Sequence, residues 1–325
     1  MASPNKIAVL TSGGDAPGMN AAIRSVVRTA ITSKMEVMGV LGGYGGILHN
    51  KLIGLSMSSV ANIIQRGGTI LKSGRAPEFL KSEARAQAAH NLRANGIEAL
   101  IVIGGDGTFN GAQLLYQEQQ IPVVGIPGTI DNDIYGTDET VGFDTALNTA
   151  LEAIDRIRDT AASHDRLFIV EVMGRDSGFI AIDVGLAGGA EEVFIPETMA
   201  NVDQAIQSIK RGVARGKTSS IIVAAEGQKV GRAYDLAEQI RRKAGFEAKV
   251  CVLGHIQRGG PPSARDRILA SRFGFSAVRA VQQNKGGVMV ALVGGHVDLV
   301  SLKDGVGKKR RVPSELIELA QLLAH

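Results

Sequence analysis

Short, almost wholly apolar runs recur along the chain, each followed by a glycine turn, a helical pattern or both. The runs are Ile7–Leu10, Val37–Val40, Leu100–Ile103, Val123–Ile126, Phe168–Val172, Ile221–Ala225, Val250–Leu253 and Val288–Val293. Continuous apolar character, rather than alternation, is expected of strands covered on both faces, as in parallel sheets. Helical patterns fall between them, at Met19–Ser33, Ser82–Asn95, Thr145–Ala161, Val202–Arg215, Tyr234–Ala244, Ala264–Asn284 and Ser314–Leu323. In the third, Leu147, Leu151, Ile154 and Ile157 share one helical face. Strand–helix alternation throughout predicts a doubly wound α/β fold. In such folds ligands bind outside the carboxyl ends of the strands.

The chain has 325 residues, enough for about two domains. No linker rich in Pro, Gly or Ser divides it. A net charge of +4 fits a protein that handles phosphorylated metabolites. Only 4% of residues are aromatic and none is Trp, which argues against a base-stacking nucleic-acid surface. The basic run Lys308-Lys309-Arg310-Arg311 reads as a solvated turn. Cys251 is the single cysteine, so no intrachain disulfide forms, and its apolar neighbours predict a buried small hydrophobe. No secretory signal or long apolar span is visible, so a soluble cytoplasmic protein is expected.

Five turns carry the chemistry. Thr11–Asn20 follows the first strand, and its glycines let backbone N–H groups approach a phosphate, though an ordinary tight turn would look the same. Gly104–Gly111 lacks the Gly-Lys-Ser/Thr of a Walker A loop. Its Asp106 makes sense beside phosphate if it reaches Mg²⁺; the competing reading is a helix cap. Pro127–Asp133 gathers Thr129, Asp131, Asn132 and Asp133, and phosphoryl transfer to an alcohol needs a carboxylate to accept the hydroxyl proton. The competing reading there is a polar turn with Asx bonds. Met173–Gly178 and Gly254–Gly260 each bring an arginine, Arg175 and Arg258, to a strand end, where the guanidinium can grip phosphate. His255 has no Ser or Cys partner for a nucleophile triad.

Together TSGGDAPGMNAAIR, GGDGT, PGTIDNDI, EVMGR and GHIQRGG, in this order from Ile7 to about Arg272, resemble the bacterial ATP-dependent 6-phosphofructokinases. The resemblance implies two doubly wound α/β lobes with mainly parallel sheets. Residues 1–142 with 257–309 would form a larger ATP lobe, and 143–256 with 310–325 a smaller sugar-phosphate lobe. It implies transfer of the γ-phosphate of Mg-ATP to the 1-hydroxyl of fructose 6-phosphate, the committed step of glycolysis. Gly14, Arg75, Ala76, Gly105, Gly107 and Thr108 would contact ATP, and Asp106 would organise Mg²⁺. Asp131 would be the base, with Thr129, Arg175 and Arg75 stabilising the transferring group. Ile130, Met173, Gly174, Glu226, His255 and Arg258 would line the sugar site, and Arg166 and Lys249 would reach its 6-phosphate from a neighbouring subunit of a homotetramer. An effector site for ADP or phosphoenolpyruvate would use Arg24, Arg28, Arg158, Gly189, Glu191, Arg215 and Lys217.

Gly107 and Gly128 stand where pyrophosphate-dependent relatives carry Asp and Lys, so ATP is the expected donor. Four positions depart from the family pattern. Lys249 replaces an arginine, losing its bidentate fork. Leu80 stands at an often basic position near the nucleotide, while Met57 replaces an arginine and Asn62 an aspartate in the effector site, which predicts altered allostery. Competing readings are a kinase of tagatose 6-phosphate, NAD or a lipid, and a catalytically silent nucleotide-sensing module. Neither nucleic acid nor membrane is an expected partner.

Overall fold

The computed structural model describes residues 4–162, 167–198, 201–217, 219–227 and 230–324. Two compact units emerge: residues 1–130, 134–144 and 258–310, and residues 131–133, 145–257 and 311–325.

The first unit is built on a seven-stranded sheet. Its strands are β1 (Lys6–Thr11), β2 (Glu36–Val40), β3 (Leu52–Leu55), β4 (Ala99–Gly104), β5 (Val123–Pro127), β10 (Val288–Val293) and β11 (His296–Ser301). They are ordered β11-β10-β5-β4-β1-β2-β3. The five central strands are parallel; only the edge strands β3 and β11 run antiparallel to their neighbours. Every residue of β4 is buried, as its unbroken apolar run predicts. Helices α1 (Met19–Thr32) and α9 (Ala264–Gln282) pack against each other, as do α3 (Ser82–Ala94) and α4 (Asp106–Gln119), while α2 (Tyr44–Leu48) adjoins α3. Alternate strand residues Ala8, Leu10, Leu100 and Val102 pack with Ala88, Leu92, Ala112 and Leu115 of α3 and α4 in one apolar cluster. From β1 the chain steps by α1 to β2 on one side, and from β4 by α4 to β5 on the other. The sheet order therefore reverses between β1 and β4, the place where doubly wound folds bind ligands.

The second unit holds a four-stranded, all-parallel sheet in the order β7-β8-β6-β9. Its strands are β6 (Leu167–Val172), β7 (Glu192–Phe194), β8 (Ser220–Ala225) and β9 (Ala248–Val252). Helices α7 (Val202–Ala214) and α8 (Arg232–Ala244) share an apolar cluster with Ile169, Ile222 and Ala224. Helix α6 (Phe179–Gly188) packs against α11 (Ser314–Leu323), and the long α5 (Phe143–Ala162) enters this unit at Thr145. A short helix α10 (Leu302–Gly305) follows β11. Among the described residues no helix is long and apolar enough to cross a membrane.

One local expectation is corrected. Cys251 is only partly buried, at an edge strand, and desolvation raises its thiol pKa. The 308–311 run is largely exposed, as expected, with a backbone bridge from Lys309 to Ile134 and the Lys308 ammonium 5.2 Å from the Tyr135 ring centroid.

Candidate active site

In the first unit the turns after β1, β4 and β5 meet at one sheet edge because their strands are hydrogen-bonded neighbours. The Ser12 amide donates to Ile103 O at 3.0 Å and the Gly128 amide to Gly104 O at 3.0 Å, extending the ladders into the turns. Thr108 Oγ1 donates to Ser12 O at 3.2 Å. Segment Thr69–Arg75 closes over the same edge. Ser73 Oγ donates to Gly13 O at 2.6 Å, and the Gly13 amide reaches Gly74 O at 3.3 Å. Arg75 at its end is exposed, with Ala76 beside it half-buried.

Glycine is required here by close approach. A Cβ at Gly104 would lie 2.4 Å from Thr108 Oγ1 and 2.6 Å from Ser12 O. At Gly107 it would meet nothing within 4 Å, so that position faces open space above the first turn of α4. Gly105, with no side chain, holds the N-cap position of α4, and Asp106 is the first helical residue. A carboxylate there suits the helix dipole and faces the same N-terminus that attracts phosphate. The direction of a Gly105 Cβ points at Thr129, 3.6 Å from its Cβ. The Thr129 carbonyl accepts the Thr140 hydroxyl at 2.6 Å, and buried Ile130 follows.

The floor of this region is aromatic. Tyr44 of α2 stacks on Phe79, with ring centroids 4.1 Å apart and an interplanar angle of 13°. Its hydroxyl donates to Thr108 O at 2.6 Å, and burial pushes the phenol well above its usual titration range. Arg85 holds Phe79 O at 2.8 Å and pairs with Glu118, whose carboxyl that hydrogen bond keeps below its ordinary range. Arg258 belongs to this unit and donates to Asp15 O at 2.9 Å, with its guanidinium over Gly14.

No cluster of three or more acidic, His or Cys side chains among the described residues forms a metal cage. One carboxylate at a glycine cradle is nevertheless the donor set Mg²⁺ uses when it arrives with nucleotide phosphates. Asp106 beside an open Gly107 fits that arrangement.

In the second unit Asp131 is half-buried and Asn132 buried. The turn after β6 places Met173 and Gly174 in buried positions and Arg175 outward. Arg175 has φ +54°, a left-handed conformation that costs a non-glycine residue energy and is found preferentially at functional sites. Glu226 follows β8, its amide donating to Val172 O at 2.8 Å. Lys249 is exposed on β9, and His255 is exposed in the 3₁₀ turn Gly254–Arg258. Arg166 lies outside the described residues.

Of the expected effector residues, Arg158 donates to the carbonyls of Gly188 and Gly189, and Lys217 pairs with buried Glu191, which also accepts the Ile221 amide. Arg215 caps α7 and is exposed. Arg24 and Arg28 stand one turn apart on α1 of the first unit.

Four residues with no role assigned from sequence organise these turns. Tyr44 is described above. Gln257, fully buried, accepts the Met173 amide at 2.8 Å and donates to Ala146 O at 3.3 Å. Ser177 Oγ donates to Asp131 O at 2.8 Å. Glu171 accepts the Gly231 and Ala233 amides, each at 2.8 Å, capping α8 from within β6. Glu171 interrupts an apolar strand, which is a signal in the sequence, whereas Ser177 and Gln257 sit inside MGRDSG and GHIQRGG and only the structure shows them buried.

The phosphofructokinase family profile matches residues 6–281. An ATP-dependent 6-phosphofructokinase of Thermus thermophilus is 57% identical over 98% of this chain and 99% of its own length. One from Bacillus pumilus is 51% identical over 98% and 99%. Among solved structures, phosphofructokinase from Saccharomyces cerevisiae aligns with TM-score 0.88 and 36% identity over 98% of this chain and 46% of the yeast chain. The pyrophosphate-dependent enzyme from Marinobacter aquaeolei aligns with TM-score 0.84 and 25% identity over 96% of this chain and 86% of its own. The chain belongs to the phosphofructokinase family.

Proposed function

We propose that this protein transfers the γ-phosphoryl group of ATP to the 1-hydroxyl of fructose 6-phosphate. The observation that carries the reading is the register Gly104↔Pro127, which sets the turn bearing Asp106 directly beside the turn bearing Thr129. Gly14, Gly105, Gly107, Thr108, Arg75 and Ala76 bind the nucleotide. Asp106 at the start of α4 would hold Mg²⁺ together with the bound nucleotide, and the ion would supply neutralisation of the triphosphate charge. Asp131 accepts the proton of the 1-hydroxyl as its oxygen attacks the γ-phosphorus, and the bond from that phosphorus to the β–γ bridging oxygen breaks to release ADP. Arg175, Arg75 and Thr129 stabilise the charge that spreads over the equatorial oxygens. Met173, Gly174, Ile130, Glu226, His255 and Arg258 hold the sugar, and Lys249 with Arg166 its 6-phosphate. Asp131→Ser tests this: turnover falls about 10²–10⁴-fold while ATP binding persists, whereas a nucleotide-sensing module would be unaffected.

The donor reading has physical support. A pyrophosphate enzyme would need side chains at Gly107 and Gly128. A Cβ at Gly128 would already stand 3.0 Å from Ile103 Cγ2, so a lysine there requires repacking. Gly107 leaves open space for a nucleotide.

The finer proposals concern assembly and control. The protein forms a homotetramer in which Lys249 and Arg166 serve a neighbouring site; mass measurement in solution checks it. Its effector site keeps Arg158, Glu191, Arg215 and Lys217 but lacks the arginine that Met57 replaces. Activation by ADP and inhibition by phosphoenolpyruvate are therefore weak, and a titration showing strong responses to both would contradict this.

A further inference from the structure

Two functional turns of the second unit are joined by one buried hydroxyl. Asp131–Asp133 belongs to no strand or helix, so its backbone groups need partners from elsewhere. Asn132, with φ +52°, bends it sharply. The other turn, Met173–Gly178, doubles back on itself: the Ser177 amide donates to Gly174 O at 2.8 Å. A Cβ at Gly174 would lie 2.4 Å from Ser177 O, so only glycine permits this fold-back. It turns the Ser177 side chain inward, where it is 2% exposed and donates to the main-chain carbonyl of Asp131 at 2.8 Å.

The turn that carries Ser177 is itself fixed at both ends. Gln257 accepts the Met173 amide at one end. At the other, Glu197 accepts the Gly178 amide at 2.9 Å, at the N-terminus of α6. Ser177 thus projects from a rigid frame onto a turn with no secondary structure of its own. We propose that Ser177 is a positioning residue: its hydrogen bond to the Asp131 carbonyl fixes the base relative to the turn that presents Arg175. This rests on the reading of Asp131 as base. Misplacing a catalytic group by about 1 Å can cost about a hundredfold in rate, so one such bond is enough to matter.

The test is a double-mutant cycle on the full chain, with ATP and fructose 6-phosphate as substrates, built from Ser177→Ala and Asp131→Ser. We expect S177A alone to lower kcat by roughly tenfold or more, with the KM for ATP changed by less than roughly twofold. In the D131S background the same change adds less than roughly a twofold effect, because the group it positions is gone. Ser177→Cys, which keeps the shape and a weak donor, falls between wild type and S177A and serves if S177A does not fold. A wild-type kcat in S177A overturns the proposal, and so does an equal loss in both backgrounds, which would mean that Ser177 acts through something other than Asp131. If D131S keeps full turnover, the assignment of the base has failed, and that result is separate from either of these.

Discussion

The turns after β1 and β4 and the turns after β6 and β9 all follow the carboxyl ends of parallel strands, yet they are built from different materials. The first pair is backbone. Gly14, Gly105 and Gly107 leave the turns without side chains, and the nearby side chains of Ser12, Ser73, Thr108 and Tyr44 spend their hydrogen bonds on carbonyls of the same turns and of the segment that closes over them. The second pair is side chain. Arg175, Lys249 and His255 point outward, and Ser177, Gln257 and Glu171 stay buried to hold the loops that carry them or the helix beside them. Under the proposed function, the difference follows from what each would recognise. A phosphate chain is bound by several N–H groups at close range, which requires the absence of Cβ atoms. A sugar phosphate is read by a few directional, charged contacts, which require long side chains on a rigid frame.

The largest expected break in this contrast comes from adding one methyl group to the backbone cradle. Gly104→Ala would collide with Thr108 and Ser12, destabilising the protein by about 1–3 kcal/mol and abolishing ATP binding. Gly107→Ala should do the opposite in thermal unfolding. Its Cβ meets nothing, and alanine favours the first turn of α4, so the protein is stabilised by about 0.5–1 kcal/mol while the KM for ATP rises. A smaller effect sharpens the side-chain half: Lys249→Arg restores a bidentate grip and lowers the KM for fructose 6-phosphate by roughly fivefold. The smallest concerns Glu118 near the C-terminal end of α4. Arg85 holds its folded pKa below the unfolded value of about 4.3, so the pair stabilises the fold above that value, and the effect is lost as pH falls through the folded pKa. Melting curves of Glu118→Gln should lie about 2 °C below wild type at pH 7 and converge with it in acid.

The central strands were legible from sequence because burial on both faces leaves a run such as Ala99–Gly104 with no polar residue. The strands that sequence reading missed are β3, β7 and β11. The first carries Gly54, the second has three residues, and β11 alternates because it stands at an edge. Helix α5 begins at Phe143 rather than Thr145, and α8 at Arg232 rather than Tyr234, because helix ends are set by local capping rather than by apolar period. The turns were visible through clustered Gly, Asp, Thr and Arg. Their supports were not, because a buried Ser177 or Gln257 has the same composition as a solvated one, and its value depends on a partner 46 or 84 residues away.

The account turns on ATP as donor, which an assay of fructose 1,6-bisphosphate formation from fructose 6-phosphate tests directly, with Mg²⁺ and either ATP or pyrophosphate supplied. Product with ATP and none with pyrophosphate is the predicted result. Product with pyrophosphate alone, or with neither donor, would contradict it.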